Sequence, residues 1–110
     1  MSERWTLETL QEDQREWVAR NFGDRPSWHP LLGVGEELGE LMHAHLKTVQ
    51  GIRGSRMEHH RAKVDAVADI VIYLADYCSA EGIDLADAVD ETWSKVRKRD
   101  WRKDPQRGGT

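Results

Sequence analysis

Apolar positions recur at helical rather than strand spacing along this chain. Leu7, Leu10, Trp17 and Val18 make a stripe that runs to about Phe22, and Thr6 stands where an N-cap belongs. NFGDRPSWHP, residues 21–30, breaks the pattern with Gly23, Pro26 and Pro30 and reads as a loop. A second helix is expected from about Leu31 to Val49, then a turn over GIRGS with Ser55 as the next cap. The third helix runs from about Arg56 to Ala80, is most apolar from Val64 to Cys78, and stops at Gly82. Asp84 caps a fourth, whose apolar face is Leu85, Ala88, Val89, Trp93 and Val96. No strand or repeat emerges. The expected fold is all-α: one four-helix bundle over residues 1–110, with flexible ends at about 1–5 and 105–110.

Polar residues interrupt the two most apolar helices in a patterned way. Glu36, Glu37 and Glu40 lie in GVGEELGEL, and Asp65 and Asp69 in KVDAVADIVIYLADYC. At about 100° per residue, the three glutamates share one sector and the two aspartates stand about 40° apart. The short turn makes these helices antiparallel neighbours, so their acids can face each other. Carboxylates on core-facing helices are costly without a compensating cation or proton. No Lys or Arg matches the two clusters, which suggests a hard, oxygen-loving metal such as Mg²⁺ and hence phosphate chemistry. The bland alternative is a solvated acidic face, the usual fate of a lone ExxE. Gly33, Gly35 and Gly39 each cost the second helix roughly 1 kcal/mol. Close approach of another helix or a ligand would explain them.

Composition narrows the field. The 110 residues carry 20 acidic and 16 basic side chains, a net charge of −4, which argues against a general nucleic-acid binder. The charge is uneven, because seven basic residues and two acids fall between Lys95 and Arg107. Such a tail suits a small polyanion such as a nucleoside triphosphate. A single cysteine excludes an intrachain disulfide and a cysteine-based zinc site. Apolar runs are far shorter than the ~20 residues of a membrane helix, so a soluble, cytoplasmic protein is expected, without membrane partners.

At the glutamates the chain resembles a known family, the all-α nucleotide pyrophosphohydrolases, which include MazG, the dimeric dUTPases, the phosphoribosyl-ATP pyrophosphohydrolases and the dCTP pyrophosphatases. Their hallmark is EExxE on one helix and ExxD on the next. Glu36-Glu37-x-x-Glu40 matches fully, and Asp69 matches the final Asp. The Glu position of ExxD is Ala66, and Asp65, one residue earlier, is the nearest acid. NFGDRPSWHPLLGVGEELGEL and DLADAVDETWSKVRKRDWRKDP are similar to the family's approach to the metal helix and to its last helix. The resemblance covers roughly residues 15–105. It implies Mg²⁺-dependent hydrolysis of (deoxy)nucleoside triphosphates to monophosphate and pyrophosphate, as in nucleotide-pool housecleaning, by a homodimer or homotetramer. Mn²⁺ is a possible substitute. The implied metal ligands are Glu37, Glu40 and Asp69 with Asp65, and the catalytic residues Glu36, Glu37 and Glu40.

Remaining residues have competing readings. Trp28 and His29, in the loop entering the metal helix, flank the base in similar proteins; alternatively Trp28 is a hydrophobic staple. Lys95, Arg99 and Lys103, at four-residue spacing, form one helical stripe for phosphates, or else a solvated stripe that complements the helix dipole. Trp5, Trp17, Trp93 and Trp101 read as packing residues, Cys78 as a small core residue, and Lys63 and the histidines as surface groups. Asp76 is a candidate for holding a partner subunit's residue or a ligand water. A di-iron carboxylate bundle would use Glu40-x-x-His43, yet the third helix lacks the second Glu-x-x-His this needs. A non-catalytic helical nucleotide binder or adaptor is the other alternative.

Overall fold

The structure, a computed structural model, describes residues 3–109; Met1, Ser2 and Thr110, parts of the expected flexible ends, lie outside the described residues. It is all-helical, with no strand among the described residues. The helices are α1 (Leu7–Asn21), α2 (Trp28–Gln50), α3 (Arg56–Glu81) and α4 (Leu85–Val96).

Local chemistry explains most boundaries. Thr6 and Thr9 form a reciprocal cap: Thr9 N–H donates to Thr6 Oγ1 at 3.1 Å and Thr6 N–H to Thr9 Oγ1 at 2.9 Å. Ser55 Oγ accepts from Glu58 N–H at 3.1 Å, and Asp84 Oδ1 from Asp87 N–H at 3.0 Å. Helices α2 and α3 each end on a left-handed glycine, Gly51 and Gly82, both at φ 69°.

Two boundaries differ from the sequence reading. Helix α2 begins at Trp28, so Trp28 and His29 lie in its first turn rather than in a loop. Pro30 is fully buried there. A proline fits a first helical turn because the N–H it lacks would have no partner there anyway. At the other end, α4 stops at Val96, and residues 97–107 run through successive turns. Asp100 Oδ1 accepts from Arg102 and Lys103 N–H, both at 3.1 Å, and Asp104 Oδ1 accepts from Gln106 and Arg107 N–H. These aspartates offer the backbone an alternative to the helix. Lys95, Arg99 and Lys103 therefore do not form a helical stripe.

The architecture is an α2–α3 antiparallel hairpin with α1 laid along α3. One side chain joins α1 to the α3–α4 turn: Gln11 Nε2 donates to Ile83 O at 2.8 Å, and Leu85 N–H donates to Gln11 Oε1 at 2.9 Å. Helix α4 otherwise packs chiefly on α1 and leaves much of its apolar face open, so one chain does not close a four-helix bundle. Buried apolar positions are small: Ala44, Ala66, Ala75 and, as expected, Cys78, whose thiol burial pushes up in pKa.

The tryptophans expected to pack do not. Trp5, Trp17, Trp93 and Trp101 are exposed, as are Leu38, Met42, Val67 and Val89. The reason is geometric: the four helices carry apolar side chains on more faces than one chain covers. The accessible surface is 8942 Å², where a folded monomer of 12.7 kDa shows about 6,200 Å². The radius of gyration, 17.5 Å, likewise exceeds the ~13 Å of a compact chain of this length.

Candidate active site

Helical spacing alone brings Glu36, Glu37 and Glu40 together. One carboxylate oxygen from each lies within 4.8 Å of the others. Their environments differ. Glu36 and Glu40 are exposed, whereas Glu37 retains 9% of its exposure. Burial is the first cause that raises the Glu37 pKa above its ordinary 4.5, followed by the charges of Glu40 and Asp69, contact with the Glu40 carboxyl, and Glu36. Asp69 projects from α3 into the same cleft as Glu37, a space of about 440 Å³ walled by α1 and α3. The two acidic helices thus face each other through Glu37 and Asp69.

Asp65 does not join them. It is exposed, and its Oδ1 lies 3.4 Å from Nε of Arg61, one turn back on α3. Its charge is spent on a surface pair rather than on the cleft. Ala66, at the Glu position of ExxD, is 3% exposed, closed off by packing. The second half of the motif is therefore carried by Asp69 alone.

Trp28 and His29 pack edge to face, with centroids 4.2 Å apart, and both are exposed and outside the cleft lining. Lys95 reaches Glu91 at 3.6 Å, and Arg99 lies over the Trp101 ring at 6.0 Å. Neither they nor Lys103 line the carboxylate cleft.

The structure adds residues that sequence reasoning did not single out. Arg25, from the α1–α2 loop, is ion-paired with Asp76 of α3 and stacks over Phe22 at 5.1 Å. Asp76 is 8% exposed, and its partner within the chain is Arg25. Gln14 of α1 is also 8% exposed, and its Oε1 has no hydrogen-bond donor. Tyr73 explains one of the glycines. A Cβ on Gly33 would sit 2.5 Å from the Tyr73 ring, while Gly35 and Gly39 meet nothing within 4 Å. A buried glutamine amide on α1 and an Arg before a proline carry no motif, so no sequence signal marked Gln14 or Arg25.

An oxygen-only donor set with one buried carboxyl and several charged neighbours suits a hard divalent cation. Among the described residues, Arg25 is the one cation lining the cleft, and it is committed to Asp76. The fold and site define an all-α chain with a carboxylate-lined cleft. No protein-family model matches the chain, and no curated protein matches it. Among the described residues, no helix is long and apolar enough to cross a membrane.

Proposed function

We propose that this protein hydrolyses (deoxy)nucleoside triphosphates to the monophosphate and pyrophosphate with Mg²⁺, as the family resemblance implies. The observation that carries the reading is Glu37: a largely covered carboxyl held among Glu36, Glu40 and Asp69 with, among the described residues, no free cationic side chain lining its cleft. Burial and the gathered carboxylates raise the Glu37 pKa, an electrostatic cost that a bound cation would relieve. Glu37, Glu40 and Asp69 would hold the cation. When bound, it neutralises phosphate charge and makes water more acidic. Glu36 is left to accept the proton of the attacking water at a carboxylate oxygen. A P–O bond forms to that water, the α–β phosphoanhydride breaks, and pyrophosphate leaves. Asp65, paired with Arg61, takes no direct part.

The same reading includes a homodimer or homotetramer. Its support is the surplus of about 2,700 Å² of surface, much of it apolar side chain on α2, α3 and α4. Obligate homodimers bury areas of that order. A second copy could also bring Lys95, Arg99 or Lys103 toward the carboxylates, which these residues do not reach within one chain.

The test is incubation of purified protein with canonical and modified (d)NTPs and Mg²⁺, with detection of pyrophosphate and monophosphate. Glu40→Gln should lower turnover at least a hundredfold, about 3 kcal/mol of transition-state stabilisation. Full Mg²⁺-dependent activity in that variant would refute the site. One observation favours the alternative of a non-catalytic nucleotide binder: the packed Ala66 leaves the carboxylate set one member short. Nucleotide binding with no turnover of any triphosphate would establish it.

A further inference from the structure

We propose that the outer face of α2 meets the same face of a second copy, antiparallel, about a twofold axis between Leu38 and Gly39. The proposal deepens the assembly part of the reading above and rests on that part, not on hydrolysis.

The face is continuous and unpartnered. At about 100° per residue, the sector of α2 from Leu38 round to Leu32 spans about 120°. Every residue in it is apolar or glycine except Gln50, the last of the helix. Ala44, buried on the α3 side, lies about 180° round the helix from Gly35, so the sector points directly away from α3. From Trp28 to Val49, its seven large apolar side chains keep between 46% and 73% of their exposure. Together they expose roughly 800 Å², about what each partner gives to a stable interface. Monomers rarely leave a contiguous apolar patch of that size uncovered.

The order of large and small residues indicates what covers it. Laid antiparallel on itself, with the axis between Leu38 and Gly39, the face sets Trp28 opposite Val49 and Leu31 opposite Leu46. The same register sets Gly35 opposite Met42 and Gly39 opposite Leu38. Both glycines are hollows, because a Cβ at either would meet nothing within 4 Å. Each hollow therefore receives a long side chain from the other copy, and the surface is its own complement, as a twofold interface requires. Trp28, Leu31, Gly35, Leu38 and Met42 also alternate at the three- and four-residue steps of a helix-pair seam.

Other occupants fit less well. Helix α4 of a second copy has 12 residues, covers about 18 Å of a face about 30 Å long, and carries no glycine hollow. A lipid surface is opposed by the net charge of −4 and by Glu36 and Glu40, which follow the Leu32 edge round the helix. The twofold axis brings like edges side by side. Both carboxylate clusters then lie on one side of the pair, bordered by the second copy but not covered.

Sedimentation equilibrium of the full chain over a wide range of concentrations should show a dimer. Leu38→Glu places a charge on each side of the axis and should raise the dimer Kd about a hundredfold. Gly39→Leu fills the hollow that Leu38 enters and should raise it about tenfold. Alanine at Gly35 still leaves room for the flexible Met42, so Gly35→Ala should leave it within about twofold. Cysteines read the register in a Cys78→Ala chain under mild oxidation. Leu38→Cys should link to itself across the axis. Leu31→Cys should not, because its two copies would stand about 22 Å apart, against the ~7 Å a disulfide spans between Cα atoms. Mixed with Leu46→Cys, it should link.

Self-linking of Leu31→Cys, or no link in the mixture, overturns the proposal. A dimer insensitive to Leu38→Glu and Gly39→Leu but lost in Val89→Glu, on α4, overturns it and leaves the assembly reading standing. A chain that is monomeric at every concentration overturns both. If Leu38→Glu fails to fold by circular dichroism, the cysteine variants decide. A dimer with this register that hydrolyses no triphosphate refutes the hydrolase reading alone.

Discussion

Arg25 and Asp76 offer the most direct test of how this fold holds its cleft. The pair joins the α1–α2 loop to α3, with side-chain exposures of 21% and 11%. Removing one partner of a fully buried pair costs about 3–5 kcal/mol, because the survivor stays desolvated and unpaired. Here both side chains keep some water, and exposed pairs are worth ~1 kcal/mol or less. An intermediate cost of about 2–3 kcal/mol is therefore expected for Arg25→Ala, part of it from lost packing on Phe22. Asp76→Asn keeps an acceptor for the guanidinium and should cost about 1 kcal/mol less than Asp76→Ala. Urea denaturation of the single and double alanine variants closes a double-mutant cycle. It must be run at fixed protein concentration, because an oligomer would make the midpoint depend on it. The expected coupling is about 1.5–2 kcal/mol, which for a domain of this size shifts Tm by roughly 6–10 °C. Coupling under about 0.5 kcal/mol would mean that the pair behaves as a surface contact and that the loop is held by Pro30 and its neighbours instead.

Other substitutions probe the remaining parts. Gly33→Ala gains roughly 1 kcal/mol of helix propensity but drives a methyl into the Tyr73 ring, so a net loss of about 1–2 kcal/mol is expected; thermal melts compare it with Gly35→Ala, which meets open space and should be neutral or stabilising. Gln11→Ala removes three hydrogen bonds between α1 and the α3–α4 turn and should cost about 2 kcal/mol, with hydrogen exchange accelerated first at Leu85. Glu37 sets a pH dependence in chelated protein. Its folded pKa lies above the unfolded 4.5, so between the two values the folded state holds a proton that the unfolded state has lost. Stability should therefore fall as pH rises above about 4.5, and Glu37→Gln should flatten that part of the urea-midpoint profile; a profile unchanged by the substitution would show that Glu37 titrates normally.

What the sequence made legible follows how far each signal reaches along the chain. The caps at Thr6, Ser55 and Asp84 and the stop at Gly82 are decided by partners within four residues, and the chemistry of those residues is enough to place them. The glutamate triad is also local, because Glu36, Glu37 and Glu40 meet on one helix face whatever packs around them. Local signals compete at the C-terminal end. Four-residue spacing of Lys95, Arg99 and Lys103 favoured a helix, while Asp100 and Asp104 drew the backbone N–H groups into turns, and the turns won.

The cleft itself was not legible, because its parts come from positions far apart in the chain. Arg25 and Asp76 are 51 residues apart, and nothing near either one announces the other. The same holds for Gln14, a polar residue on an apolar stripe whose burial depends on where α3 lies. Spacing also cannot say which of several apolar faces a helix turns inward. Leu38 and Val67 share helices with buried Ala44 and Ala66 yet face solvent. The sequence carries the apolar area of a closed bundle, and one chain supplies only part of its walls. In the proposed assembly, the apolar α4 face around Trp93 and the outer face of α2 would be halves of contacts that a second copy completes. On that view, burial at Trp93 should track protein concentration, which its fluorescence in the variant lacking the other four tryptophans would read directly.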